Sequence, residues 1–312
     1  MRIMFMGTPD FAKESLKALC ERGTDDVVAV LTQPDKPKGR GYKLTVSPVK
    51  EYALEKNIPV FQPLTLKDEG FMTLLSQINP DLIVVAAYGK ILPPPVLDFP
   101  KYGCINVHGS LLPKYRGAAP IQRAIIDGES VTGITTMYMA QGLDTGDMLL
   151  KTEVEISEDD NFQTLHDKLA VCGAETLLKT VEALKNGALH SEKQDDSKST
   201  YAAKIEKSDC LIDFSKSCRE IYNRIRGLSP MPLAFTHTPD GKILKIEACR
   251  ILKEGTTAPA GAGTVISISD GIDVACRDGV IRLLYIRPEG KRCMSAQDYV
   301  RGRKIFAGDM FS

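Results

Sequence analysis

The sequence predicts an α/β protein, a doubly wound, mostly parallel sheet domain followed by a small OB-like β-barrel. Three observations carry this. Short apolar or β-branched runs occur at residues 2–6, 27–32, 82–87 and 104–108. Helical patterns near residues 11–22, 48–56 and 67–78 alternate with them. Strands buried on both faces read as continuous apolar runs, and their alternation with helices marks a parallel sheet. Beyond residue 206 the pattern turns β-rich, with strand-like runs at 233–238, 243–252, 263–268, 271–276 and 280–286. Asp278-Gly279 is a tight-turn signal between the last two. Five short strands with one helix near residues 218–226 suggest a small barrel.

A longer helix closes the first domain. Phe162, Leu165, Leu169, Cys172, Leu177, Val181 and Leu184 recur at helical steps, with Asp160 or Asn161 to cap the start and Gly187 the end. Residues 191–200 contain no apolar side chain and read as a surface linker. The expected organisation is therefore a first domain at 1–189, a linker at 190–206 and a barrel at 207–312. Ser295-Ala-Gln-Asp298 resembles a capping box and predicts a short terminal helix.

Composition narrows the class. The 312 residues suffice for two cores, and 43% hydrophobic with 26% charged residues is ordinary for a soluble protein. Formal net charge is zero, but from Lys204 onward there are 18 basic and 13 acidic residues. That excess gives the C-terminal part a candidate polyanion-binding face, or is a chance division of a neutral surface. The eight cysteines are scattered with no C-x-x-C, and the four histidines form no ligand cluster with them, so a reducing cytoplasm and no metal site are expected. No apolar stretch approaches ~20 residues, so no membrane span is expected.

The most informative segment is Gly103-Cys-Ile-Asn-Val-His-Gly-Ser-Leu-Leu-Pro113. In a strand, Ile105 and Val107 point one way, and Asn106 and His108 the other. Ligands of open α/β sheets bind outside the carboxyl ends of the strands. An amide donor beside an imidazole there suits stabilisation of an oxyanion in acyl transfer; an ordinary strand with one polar face fits the spacing equally. Gly142-Leu-Asp144-Thr-Gly-Asp147 joins two strand-like runs. Asp144 could favour a charged His108 or accept a proton, or simply form an Asx-turn. Gly7-Thr-Pro-Asp10 lacks the G-x-G-x-x-G spacing and reads as a structural turn. Lys36, Lys38, Arg40, Lys43 and Lys50 make a basic loop suited to phosphate, or a solvated surface loop.

Asn106-x-His108, Ser110-Leu-Leu-Pro113 and Gly142-x-Asp144-Thr-Gly146 together resemble the folate-dependent formyltransferase family. The resemblance implies catalytic roles for Asn106, His108 and Asp144, and no metal. It implies a tetrahydrofolate site at Ser110, Leu111, Leu112 and Pro113. Tyr88-Gly-Lys-Ile-Leu-Pro93 is similar to the family's folate-pocket wall, with Ile91 and Leu92 as candidates. Tyr115-Arg-Gly-Ala-Ala-Pro-Ile-Gln122, the basic loop, Tyr201-Ala-Ala-Lys204-Ile and Asn223-Arg-Ile-Arg-Gly-Leu-Ser-Pro-Met-Pro232 resemble the members that act on aminoacyl-tRNA. The resemblance then implies transfer from 10-formyltetrahydrofolate to the α-amine of initiator methionyl-tRNA in translation initiation. Arg40, with Lys38 and Lys43, would contact the tRNA, and the protein would be a monomer. The alternatives are a formyltransferase acting on an amino-sugar nucleotide and a formyltetrahydrofolate hydrolase. One departure is that many relatives carry tryptophan near Phe235, and this chain has none.

Overall fold

The computed structural model describes residues 1–38, 43–302 and 305–312. The chain forms two compact units. The first comprises Met1–Gly117, Val131–Glu155 and His166–Ala202, the second Ala118–Ser130, Ile156–Leu165 and Ala203–Ser312.

The first unit's strands are β1 (Arg2–Gly7), β2 (Asp26–Leu31), β3 (Lys36–Lys38), β4 (Lys43–Thr45), β5 (Val60–Phe61), β6 (Leu82–Ala86), β7 (Cys104–His108), β8 (Arg116–Gly117), β9 (Val131–Tyr138), β10 (Met148–Glu155) and β11 (Tyr201–Ala202). Seven of them make one sheet in the order β10-β9-β7-β6-β1-β2-β5. From β5 to β7 every pairing is parallel. Strands β9 and β10 add antiparallel to that edge. Residues 139–147 between them are too few for a helical crossover, so a hairpin results. The strand order reverses at β1 and β6, which puts the expected binding crevice at the carboxyl ends of the central strands.

Helices α1 (Asp10–Arg22), α2 (Pro48–Glu55), α3 (Glu69–Ile78) and α4 (Pro94–Leu97) connect the strands. Side Asp68 caps α3 through the Phe71 amide, and Ser47 caps α2 through Lys50. One face of the sheet packs Met4, Met6, Leu31, Ile83, Val85 and Cys104 against Phe71, Leu75 and Val96. After α5 (Pro120–Ile126), helix α6 (Phe162–Lys185) supplies the opposite cover. A Cβ at its Gly173 would lie 3.1 Å from Val107 and 3.4 Å from Ile134. Its start is capped by Asn161, whose side chain accepts from the Thr164 amide, and it ends before Gly187 at φ 65°.

The second unit carries α7 (Cys218–Leu228), β12 (Ala234–His237), β13 (Ile243–Lys253), β14 (Val265–Ser267), β15 (Ile272–Cys276), β16 (Gly279–Pro288), β17 (Met294–Ser295) and α8 (Ala296–Arg301). The strands form an antiparallel sheet, β12-β13-β16-β15-β14, with β17 beside β16. All five expected strands are present, and Asp278-Gly279 turns β15 into β16. Ser217 and Glu220 form a capping box on α7. That helix buries Cys218, Ile221, Ile225 and Leu228 against the sheet core. Asp273 and Arg282, opposite one another on β15 and β16, form a buried bidentate ion pair at 2.6 and 2.8 Å.

Candidate active site

Strand β7 ends at His108, and its alternation sorts the side chains. Val107 meets α6, whereas Asn106 and His108 turn to the other face. There they meet Asp144, from the β9–β10 loop. Asn106 Nδ2 lies 3.5 Å from Asp144 Oδ1, at the outer limit of a hydrogen bond. His108 Nδ1 lies 3.6 Å from Asp144 Oδ2. The imidazole is nearly buried, at 6% exposure, and the carboxylate side chain is 14% exposed. His108 Nε2 is 2.9 Å from the Tyr115 carbonyl. A carbonyl only accepts, so Nε2 carries the hydrogen and Nδ1 faces the carboxylate.

The backbone around this carboxylate is unusual. Asp144 sits in the left-handed region at φ 51°, and Tyr115 at φ 60°. Non-glycine residues hold that conformation only where neighbours over-determine it. Gly117 N donates to Asp144 Oδ2 at 2.9 Å. Gly146 lets the loop press on β9, since a Cβ there would fall 1.8 Å from the Tyr138 carbonyl oxygen. Gly117 is itself at φ 117°, where a Cβ would meet the Ala202 carbonyl at 2.8 Å. The Tyr115 amide donates to Thr200 Oγ1 at 2.8 Å, and the Arg116 amide donates to the Thr200 carbonyl at 2.9 Å. Strands β8 and β11 pair in parallel beside it.

Gln194 adds a further support from the segment expected to be a linker. It is 6% exposed. Its Nε2 donates to the carbonyls of Asp144 and Gly146, both at 2.8 Å. Its Oε1 accepts from Arg116 Nε at 2.9 Å, while Arg116 Nη2 binds Asp196 at 2.7 Å. Sequence reasoning found neither Gln194 nor the backbone groups of Tyr115 and Gly117. Only a buried glutamine in an otherwise polar run could have signalled it, and burial is invisible in the sequence.

The other expected site residues divide. Ser110–Pro113 lies next to β9: Thr135 Oγ1 donates to the Ser110 carbonyl and accepts from the Leu112 amide. The Ser110 hydroxyl is buried and donates to the Lys114 carbonyl at 2.7 Å. Leu111 packs against Gly133, and Leu112 is buried with Met137 and Met148. Leu92 belongs to the core with Tyr88, whereas Ile91 is 77% exposed. Burial pushes the Tyr88 phenol up to about 12, and its carbonyl accepts from Thr8 Oγ1 and Gln33 Nε2. Lys38 and Lys43 are register partners in the two-stranded β3–β4 ribbon. Arg40 lies outside the described residues. Lys50 pairs with Asp35, which that contact and Gln62 hold below the usual carboxylate range. Among the described residues no group of three or more His, Cys, Asp or Glu could hold a metal ion, and no helix is long and apolar enough to cross a membrane.

A doubly wound sheet with an amide, an imidazole and a carboxylate at its strand ends is a scaffold for acyl-group transfer chemistry. Residues 1–181 match the formyl transferase family, and residues 204–304 match the formyl transferase C-terminal domain. The chain belongs to the formyl transferase family. The methionyl-tRNA formyltransferase of Caldanaerobacter subterraneus subsp. tengcongensis is 53% identical to it over 309 residues, 99% of each chain. The methionyl-tRNA formyltransferase of Clostridium novyi is 50% identical over 307 residues, 98% of each. Among solved structures, the sugar 3N-formyl transferase WlaRD, crystallised in the presence of dTDP and 5-N-formyl-THF, superposes with a TM-score of 0.68 at 19% identity, over 94% of this chain and 99% of that one.

Proposed function

We propose that this protein transfers the formyl group of 10-formyltetrahydrofolate to the α-amine of initiator methionyl-tRNA, giving N-formylmethionyl-tRNA for translation initiation in the cytoplasm. The observation that carries the chemistry is the convergence of Asn106 and His108 on the Asp144 carboxylate. Near-full-length identity with methionyl-tRNA formyltransferases supports the acceptor, against 19% for the sugar enzyme.

In this mechanism the unprotonated amine attacks the formyl carbon and forms a tetrahedral oxyanion. Asn106 Nδ2, only loosely held by Asp144, donates to that oxygen. His108 acts from Nδ1, because Nε2 is committed to the Tyr115 carbonyl. Donation from Nδ1 requires a hydrogen on that nitrogen in addition to the one on Nε2. Asp144 accepts the proton the amine loses, directly or through water, and the C–N10 bond breaks as tetrahydrofolate takes a proton and departs. Ser110, Leu111, Leu112 and Pro113 border the folate, with Ile91 and Leu92 as its wall. Arg40, Lys38, Lys43 and the C-terminal part, residues 207–312, hold the tRNA, and the active species is the monomer.

Incubation with 10-formyltetrahydrofolate and charged initiator tRNA is expected to yield formyl-methionine. Formylation of an amino-sugar nucleotide instead, or formate release without an amine, would replace this assignment by one of the two alternatives.

A further inference from the structure

Residues 182–203 fall between the two matched family regions, 1–181 and 204–304. Composition makes them look like a spacer. Yet Gln194 is buried there, and its amide is fully specified by its partners. Both Nε2 hydrogens meet carbonyl oxygens, of Asp144 and Gly146, and Oε1 meets the Arg116 N–H. A flipped amide would set oxygen against two carbonyl oxygens and NH₂ against a guanidinium, so one orientation alone satisfies the site. The two carbonyls bracket the turn that carries Asp144 at φ 51°. Arg116 fixes Gln194 from behind, with its own outer edge on Asp196. The next residue, Gly117, donates to the Asp144 carboxylate. One short polar chain of contacts therefore grips Asp144 twice, at its backbone through Gln194 and at its side chain through Gly117.

We infer that Gln194 is a positioning residue for Asp144: it fixes the main chain of the 142–147 loop so that the carboxylate stands between Asn106 and His108, and Arg116 orients it for that task. It touches no reacting atom. Its effect passes entirely through Asp144, so the inference rests on the proposed catalytic role of that carboxylate. A carboxylate held 3.5–3.6 Å from Asn106 and His108 is sensitive to small displacements, and misplacement by about 1 Å can cost roughly 10²-fold in rate.

The test uses the full-length protein with Gln194→Ala, Gln194→Met and Asp144→Asn, alone and combined, assayed for kcat and KM at saturating 10-formyltetrahydrofolate and charged initiator tRNA. Gln194→Met keeps volume without the amide, so it isolates hydrogen bonding from packing and guards against misfolding of the alanine variant. Both Gln194 variants are expected to lower kcat by roughly 10- to 100-fold with KM changed less than about threefold. In the Asp144→Asn background neither should lower kcat further. A kcat within about twofold of wild type in the methionine variant, or an undiminished loss when Asp144 is already asparagine, overturns the inference. An inactive wild type, or a fully active Asp144→Asn, would instead remove the reading on which it stands.

Discussion

Two aspartates of this chain sit in similar degrees of enclosure and are treated in opposite ways. Asp273, in the C-terminal unit, is gripped bidentately by Arg282 at 2.6 and 2.8 Å, with Asp270 at 3.5 Å from the same guanidinium. Asp144, in the first unit, keeps its two side-chain neighbours at 3.5 and 3.6 Å and takes one firm bond from the Gly117 backbone. Two full charge-assisted bonds leave a carboxylate little to offer a ligand. A carboxylate fixed at its backbone, with one firm bond and two loose neighbours at its oxygens, is placed without being consumed. The difference separates a carboxylate that holds a fold from one available for chemistry, and it lies in geometry, since both are simply Asp in the sequence.

That contrast can be broken from either end. The largest expected effect is in Asp144→Asn, where kcat should fall on the order of 10³-fold or more while the melting temperature moves little; steady-state kinetics beside a thermal melt checks both. Asp273→Ala should do the reverse. It takes both short bonds from a buried guanidinium, leaving it only Asp270 at 3.5 Å, and should destabilise the C-terminal unit by about 3 kcal/mol, the low end for buried pairs. Denaturant unfolding measures that loss, and kcat below the melting range should be unchanged. Asn106→Ala comes next, at about 10²-fold in kcat, the usual cost of one oxyanion donor. A variant with wild-type turnover would take Asn106 out of the proposed mechanism. The smallest effect concerns Asp209. Partial burial raises its carboxyl, but the Glu206 amide and the Arg123 guanidinium outweigh this and leave it below the ordinary value. A depressed carboxyl contributes stability above its unfolded value and loses it as pH falls through the folded one. The gap in melting temperature between wild type and Arg123→Met should therefore be present at neutral pH and close on acidification. A gap independent of pH would show that the pair contributes through packing alone.

Much of this architecture was legible beforehand, for identifiable reasons. Continuous apolar runs marked β1, β2 and β6 because strands covered on both faces have no polar side to show. Asn106 and His108 could be paired from spacing because a strand repeats every two residues. The antiparallel edge was less legible, because direction depends on the length of the connection after Tyr138 and on what packs there. Strand β5 is two residues long and leaves almost no pattern. Asp144 could be singled out in its loop, but only the family resemblance chose between a partner of His108 and an Asx-turn, since a Gly-Leu-Asp-Thr-Gly turn looks the same with or without a neighbouring imidazole. Gln194 left no trace. Its partners lie 48, 50 and 78 residues away, and a polar run with one buried member has the composition of a polar run with none.

Strand β11 and the stretch before it set where the first unit can be cut. A fragment ending at Lys185, with the last turn of α6, would keep every strand of the seven-stranded sheet together with Asn106, His108 and Asp144. It would discard Gln194, the Thr200 contacts to Tyr115 and Arg116, and the strand beside β8. Any piece built around this sheet should carry the chain through Ala202, and it then also carries Ala118–Ser130 and Ile156–Leu165, which belong to the second unit.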